Sequence, residues 1–258
     1  VAERPDEERR EAKRSERERP EDVRPEAERL SKRVAALRGC SRREAEWLIE
    51  GGWVRVDGTV VEAPHSRVLD QAVVVDPAAR LEPPVPVTLL WCAPSATDAG
   101  EPSTPTLANR SPDDRSGIRA LHRHVTKLQE VLPLERGASG LVVFTQDDRI
   151  ARRVTDARAP IEQEYVVECA QAIDDAALAR LVALAHGESR GLALVRVSRQ
   201  SERRMRFAVK GTRPGLVAAL CVQAGLAPVA LRRLRVGRVP LAGLAPGQWR
   251  YLPPHHRF

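Results

Sequence analysis

From Arg29 onward the apolar residues fall into short periodic runs, and each run predicts an element. Leu30, Val34 and Leu37 recur at helical spacing with Arg29, Lys32 and Arg33 on the other faces, which predicts an amphipathic helix with a basic outer side. Ser41-Arg42-Arg43-Glu44 has the form of a capping box, and Ala45, Leu48 and Ile49 give the buried stripe of a second helix ending near Gly51-Gly52. β-Branched residues then flank Asp57-Gly58, a pair that accepts the positive φ angles of a tight hairpin turn. Val73-Val74-Val75 reads as a further strand. Beyond residue 80, strands are expected at 88–91, 141–145, 206–209 and 229–236, and helices at 176–185 and 216–224. Mixed strands and helices without a regular βαβ period predict an α+β protein: a small N-terminal α/β domain, then a larger domain with an antiparallel or mixed sheet.

Composition divides the chain further. Residues 1–28 carry 8 basic and 11 acidic side chains, three prolines and almost no large apolar residue, so they are expected to be a disordered charged tail. Pro77, Pro83, Pro84 and Pro86 predict a stiff linker over 77–86. The Ser, Thr, Pro, Asp and Gly of 94–117 predict a long flexible loop. The expected organisation is therefore a tail at 1–28, a small domain at 29–76, the linker, a large domain at 87–252, and a short tail at 253–258. No apolar run reaches about 18 residues, and the chain starts on charge rather than on a secretory apolar core, so a cytoplasmic protein is expected. Cys40, Cys92, Cys169 and Cys221 lie far apart, and His122 and His124 lack a third ligand, so neither a metal nor a disulfide framework is expected.

The formal net charge is +7, but residues 200–258 hold 11 Lys/Arg against the single acid Glu202. Such a field favours a polyanion, and without a basic amphipathic helix to accompany it nucleic acid is the better fit than a membrane surface. Arg42 and Arg43 occupy the first turn of a capped helix, where unpaired N–H groups already favour anions; with Arg29, Lys32 and Arg33 they could form a surface for phosphates. An equally open reading is a solvated face with Arg42 paired to Glu46. Aromatic residues are only 3%, which favours structured RNA read by shape and phosphate over a stacking channel for single strands. The arginines at 232, 233, 235 and 238 could line a solvated strand face.

Certain segments resemble a known family. Arg29-Leu30-Ser31-Lys32, Cys40-Ser41-Arg42-Arg43-Glu44-Ala45, Ile49-Glu50-Gly51-Gly52 and the Val56-Asp57-Gly58 turn resemble the small RNA-binding domain shared with ribosomal small-subunit protein S four. The Cys-Ser-Arg-Arg-Glu-Ala form is similar to the N-terminal domain of RsuA/RluF-type rRNA pseudouridine synthases. Ser139-Gly140-Leu141-Val142-Val143-Phe144-Thr145, Glu164-Tyr165-Val166-Val167 and the run from Leu241 through Gln248-Trp249-Arg250 to Leu252 continue the resemblance in the family's order. It implies a pseudouridine-synthase-like second domain, no cofactor, and structured RNA, with rRNA the expected class, as partner; a monomer is expected.

At the family's catalytic motifs the chain departs. The aspartate nucleophile's place in Pro133-Leu134-Glu135-Arg136-Gly137-Ala138-Ser139-Gly140-Leu141 is held by Glu135. The extra methylene moves the carboxylate by roughly 1 Å, enough to cost about a hundredfold in rate. The Lys-x-Tyr element reads Gln163-Glu164-Tyr165, which keeps Tyr165, the ring expected against the target base, and loses the cation. The family's two helix arginines become alanine in Gly215-Leu216-Val217-Ala218-Ala219-Leu220, so Glu135 is expected to lack its cationic partner. Cys92-Ala93-Pro94 replaces Asn-Lys-Pro. The residues alone leave Glu135 open as a surface loop acid, and Tyr165 and Trp249 as core aromatics. The resulting expectation is an RNA-binding family member with impaired catalysis; the alternative is an active isomerase with Glu135 as nucleophile and Tyr165 on the flipped base.

Overall fold

A computed structural model describes residues 27–95, 100, 104–187, 194–210, 215–253, 256 and 258. The tail expected at 1–28 lies outside the described residues up to residue 26, as do 96–99 and 101–103 of the expected loop. The chain divides into two compact units between Pro84 and Val85. Among the described residues no helix is long and apolar enough to cross a membrane.

In the first unit, β1 (Glu28–Arg29) pairs with β4 (Arg67–Val68). Glu28 is thus strand rather than tail, because its carboxylate takes the Arg33 guanidinium and its backbone a partner in β4. Helix α1 (Leu30–Arg38) buries Leu30, Ser31 and Val34 and stops at Gly39, which takes the left-handed conformation at φ 61°. Leu37, expected in the buried stripe, is 55% exposed; Cys40 packs against the core instead, after Gly39 turns the chain. Helix α2 (Arg42–Glu50) has both arms of its capping box: Glu44 N–H donates to Ser41 Oγ at 3.3 Å and Ser41 N–H to Glu44 Oε2 at 2.7 Å. Strands β2 (Val54–Val56) and β3 (Thr59–Val60) form the hairpin, turning at Asp57 (φ 48°) and Gly58 (φ 79°). Strand β5 (Val73–Val75) pairs antiparallel with the other edge of β2.

The second unit is built on a nine-stranded sheet. Its strands are β6 (Thr88–Ala93), β7 (Gln129–Val131), β8 (Ala138–Thr145), β9 (Glu162–Cys169), β10 (Leu194–Arg199), β11 (Arg204–Lys210), β12 (Pro228–Val236), β13 (Val239–Pro240) and β14 (Trp249–Tyr251). The order is β10-β11-β9-β12-β8-β6-β14, with β13 beside β12 and β7 beside β8. The β12–β8 pair is parallel and the others are antiparallel, so the sheet is mixed and the class α+β. Helices α3 (Asp148–Thr155), α4 (Asp175–Gly187) and α5 (Leu216–Gln223) complete the unit. Along β9 the residues alternate, Gln163, Tyr165, Val167 and Cys169 buried, and Glu164, Val166 and Glu168 between them half-exposed. Tyr165, Val167 and Cys169 pack with Leu181 of α4, with Val217 and Leu220 of α5, and with Met205 and Phe207 of β11.

The expectation of a flexible loop over 94–117 is corrected where that stretch is described. Ser111 N–H donates to Trp249 O at 2.7 Å, Trp249 Nε1–H donates to Thr106 O at 2.6 Å, and Arg110 bridges to Trp249. The reason lies in β14. It is the last strand of the sheet order, its outer edge carries unpaired backbone groups, and residues 104–117 supply partners for them. At the C-terminus, Phe258 packs partly buried against the core around Leu141 and Val236, so it does not hang free as a tail.

Candidate active site

A six-residue turn leads into β8 and carries Glu135. The turn opens with Leu132 at φ 53°, an uncommon backbone for a bulky side chain, and closes with Gly137 at φ 76° and an Ala138 N–H to Glu135 O bond of 2.9 Å. Strand β12 runs parallel to β8, with Arg233 opposite Gly140, and antiparallel to β9, with Arg233 opposite Tyr165. Three segments distant in sequence thus converge on one buried point.

Arg233 is fully buried. Its Nε donates to Leu141 O at 2.6 Å, Nη2 to Leu132 O at 2.7 Å, and Nη1 to Gln163 Oε1 at 2.9 Å and Pro133 O at 3.5 Å. The carbonyl of the left-handed Leu132 is one of these acceptors, so the unusual backbone has a use: it aims an oxygen at the guanidinium. The Tyr165 hydroxyl donates to the same Gln163 Oε1 at 3.0 Å.

Glu135 is 7% exposed and is no surface acid. Burial pushes its carboxyl above the usual carboxylate range; the N–H groups of Val217, Ala218 and Gly215 at the start of α5, and the Arg233 charge, pull the other way without offsetting it. Its Oε2 is buried without a hydrogen-bond partner among the described residues. Tyr165 is 5% exposed and sits in the core, where burial raises its hydroxyl pKa and Arg233 lowers it. The ring expected to meet a target base is thus enclosed.

Ala218 and Ala219 leave α5 without arginines, and among the described residues the Arg233 guanidinium of β12 acts on Glu135 through its charge, its donors going to other acceptors. The reading of a solvated strand face at 232, 233, 235 and 238 therefore fails at 233. A signal was present: Arg233 stands two residues from buried Leu231, in the inward phase of the strand. Its neighbours differ. Arg232 lies 3.7 Å from Cys92 Sγ, and Arg235 is held between Glu162 and Glu164.

The five other candidate residues belong to the first unit. Arg29 is exposed at the entrance to α1, Lys32 lies 3.9 Å from Glu28, and Arg33 bonds Glu28 and, at 2.8 Å, Leu69 O. Arg42 pairs with Glu46 at 3.6 Å, and the Arg43 guanidinium stacks on Trp47 at 5.6 Å. Arg29, Lys32, Arg42 and Arg43 are exposed and compatible with phosphate contacts, and the Lys32 and Arg42 ion pairs are loose enough to exchange, whereas Arg33 is half-buried and tied to both Glu28 and Leu69 O. His124 is a core residue, its Nδ1 2.7 Å from the Tyr251 hydroxyl. No metal-ligand cluster is gathered among the described residues.

Residues 28–74 match the family model of the S4 domain. Over 225 residues the chain is 30% identical to a protein of Aquifex aeolicus (strain VF5) named "Uncharacterized RNA pseudouridine synthase", which spans 87% of this chain and 92% of that protein. The ribosomal small subunit pseudouridine synthase A of Pseudomonas aeruginosa is 29% identical over 154 residues, 54% of this chain and 63% of that one. The ribosomal large subunit pseudouridine synthase B of Escherichia coli (strain K12) is 29% identical over 164 residues, 59% of this chain and 52% of that one. With nearly the whole length of the Aquifex protein matched and an S4 domain ahead of a mixed nine-stranded sheet, the chain belongs to the RNA pseudouridine synthase family.

Proposed function

We propose that the chain is a cytoplasmic, monomeric protein that binds structured RNA, rRNA in particular, through Arg29, Lys32, Arg33, Arg42 and Arg43 of the S4 domain, and that its Glu135 site is catalytically impaired. The rRNA reading is supported by relatives named for the small and large ribosomal subunits. The impaired reading is carried by one observation: the donors of Arg233 are committed to Leu141, Leu132, Pro133 and Gln163, and not to Glu135. A nucleophilic carboxylate has to be ionised, oriented and reachable. Glu135 is buried, shifted toward its neutral form, and has an oxygen with no partner among the described residues.

Forming pseudouridine breaks the N1–C1′ bond, joins C1′ to C5 of uracil and releases the C5 hydrogen as a proton while N1 takes one up, so tritium release from rRNA fragments labelled at C5 of uridine reads the reaction directly. The expected result is no release above background, and none from Glu135→Asp, since the shorter acid leaves the Arg233 donors where they are. A single observation favours the alternative, an active isomerase with Glu135 as nucleophile and Tyr165 against the base: a buried guanidinium does lie near the carboxyl. Release that Glu135→Gln abolishes would establish that alternative.

A further inference from the structure

Gln163 Oε1 receives donors from two strands, Nη1 of Arg233 at 2.9 Å and the hydroxyl of Tyr165 at 3.0 Å. The arrangement follows from register. Gln163 and Tyr165 are two apart on β9 and share its inward face, while Tyr165 lies opposite Arg233 of β12, so one amide oxygen reaches both groups. The amide itself is 4% exposed, which shuts out water as a competing acceptor.

Beside it lies a mismatch. A carboxylate is a stronger acceptor for a guanidinium than an amide carbonyl, roughly twofold in hydrogen-bond strength. Here the amide holds the guanidinium, and the carboxyl oxygen Oε2 of Glu135 is buried with none of the described residues bonded to it. The turn that carries Glu135 is tied to the same guanidinium through Leu132 O and Pro133 O, so the acid is within the electrostatic reach of Arg233 while its donors point elsewhere.

We propose that Gln163 is a positioning residue that holds Arg233 and Tyr165 on its amide oxygen and thereby denies Glu135 their side-chain donors, which would add to the backbone N–H groups at the start of α5 in holding it an oriented carboxylate. The inference rests on the impaired-site reading above and names the residue responsible. Methionine at 163 keeps the length and the burial and removes the acceptor. Arg233 Nη1 and the Tyr165 hydroxyl then lose their shared partner, and Glu135 Oε2 is a buried acceptor open to them.

The test follows the Glu135 side-chain carbon resonance through a pH titration by NMR, the signal being assigned by its loss in Glu135→Gln. In Gln163→Met the midpoint should fall by at least one pH unit from that of the wild-type chain, a tenfold change in proton affinity. Gln163→Glu keeps an acceptor oxygen at 163 and should leave the midpoint at or above the wild-type value. A midpoint that does not fall in folded Gln163→Met overturns the inference. A second measurement needs no change at 163: the side-chain nitrogen resonances of Arg233 should be unmoved by Glu135→Gln, and a clear displacement would show Arg233 bound to Glu135 and overturn the inference. Tritium release by the wild-type chain would sink the impaired-site reading without moving either NMR readout, so the two failures are told apart.

Discussion

Gly140 and Arg233 face each other where β8 and β12 run parallel, and a Cβ at Gly140 would lie 2.3 Å from the carbonyl oxygen of Arg233. The glycine sits at φ 99°, so both the space and the backbone exclude a side chain. Three residue pairs make this parallel joint, and it connects the β10-β11-β9-β12 half of the sheet to the β8-β6-β14 half.

Gly140→Ala should therefore lower stability by about 3 kcal/mol or more, since backbone rather than a movable side chain blocks the methyl. Gly39→Ala is the matched control. Its φ is also positive, at 61°, but nothing lies within 4 Å of the added Cβ, so only the conformational term of about 1–2 kcal/mol applies. Urea denaturation of both variants checks the contrast; equal losses would mean that the close approach at the joint costs nothing.

His124 sets a pH dependence. Burial first, then the charges of Arg123 and Arg110, lower its pKa from 6.5 to about 4. The folded state therefore binds the proton less readily than the unfolded one. Stability is full above pH 6.5 and declines as pH falls toward 4, by about 3 kcal/mol in all. His124→Gln should flatten that decline between pH 6.5 and 4, read as the difference between denaturation midpoints across the range. An unchanged slope would show that His124 is not the titrating group.

Arg110 pins the segment that covers β14. It bonds Asp114 at 2.9 Å and Ile118 O at 3.2 Å, and its guanidinium lies 5.2 Å from the Tyr251 ring centre. Arg110→Ala should speed protease cleavage within residues 104–118 several-fold while leaving cleavage of the first unit unchanged. Equal cleavage rates for the variant and the wild-type chain would show that the backbone bonds to Trp249 suffice.

In the S4 domain, the Arg42→Ala, Arg43→Ala double variant should weaken structured-RNA binding with little change in melting temperature, because neither side chain is part of the core. Removing one cation that neutralises a phosphate flattens the slope of log affinity against log salt by about 0.7 to 0.9, so the double variant should flatten it by about 1.4 to 1.8. Alanine at Arg9 and Arg10, in a net acidic stretch, should do far less. Matching affinity and slope for the two double variants would place the binding surface elsewhere.

What the sequence determined by itself is what neighbouring residues decide between them. Ser41 and Glu44 are three apart and close their own capping box, Asp57-Gly58 makes its own turn, and Gly39 ends α1 by its own φ. Such signals act within one helical turn or one hairpin, so both helices, the β2–β3 hairpin and β5 of the first unit were legible while the β1–β4 pair, which joins residues far apart in the chain, was not, and the order of the family's segments pointed to the class of the second. Tertiary structure alone decided the candidate site. The bond from Arg233 Nε to Leu141 O spans 92 positions and that from Nη1 to Gln163 spans 70, and no local pattern specifies either. The identity of Glu135 was plain from the sequence, but its burial comes from α5 and its cation from β12. The cover over β14 read as loop because its composition is loop-like; it is ordered because an edge strand more than a hundred residues away needs hydrogen-bond partners. Side-chain partners chosen across a sheet depend on strand order and register, and these are set by the packing of the whole domain.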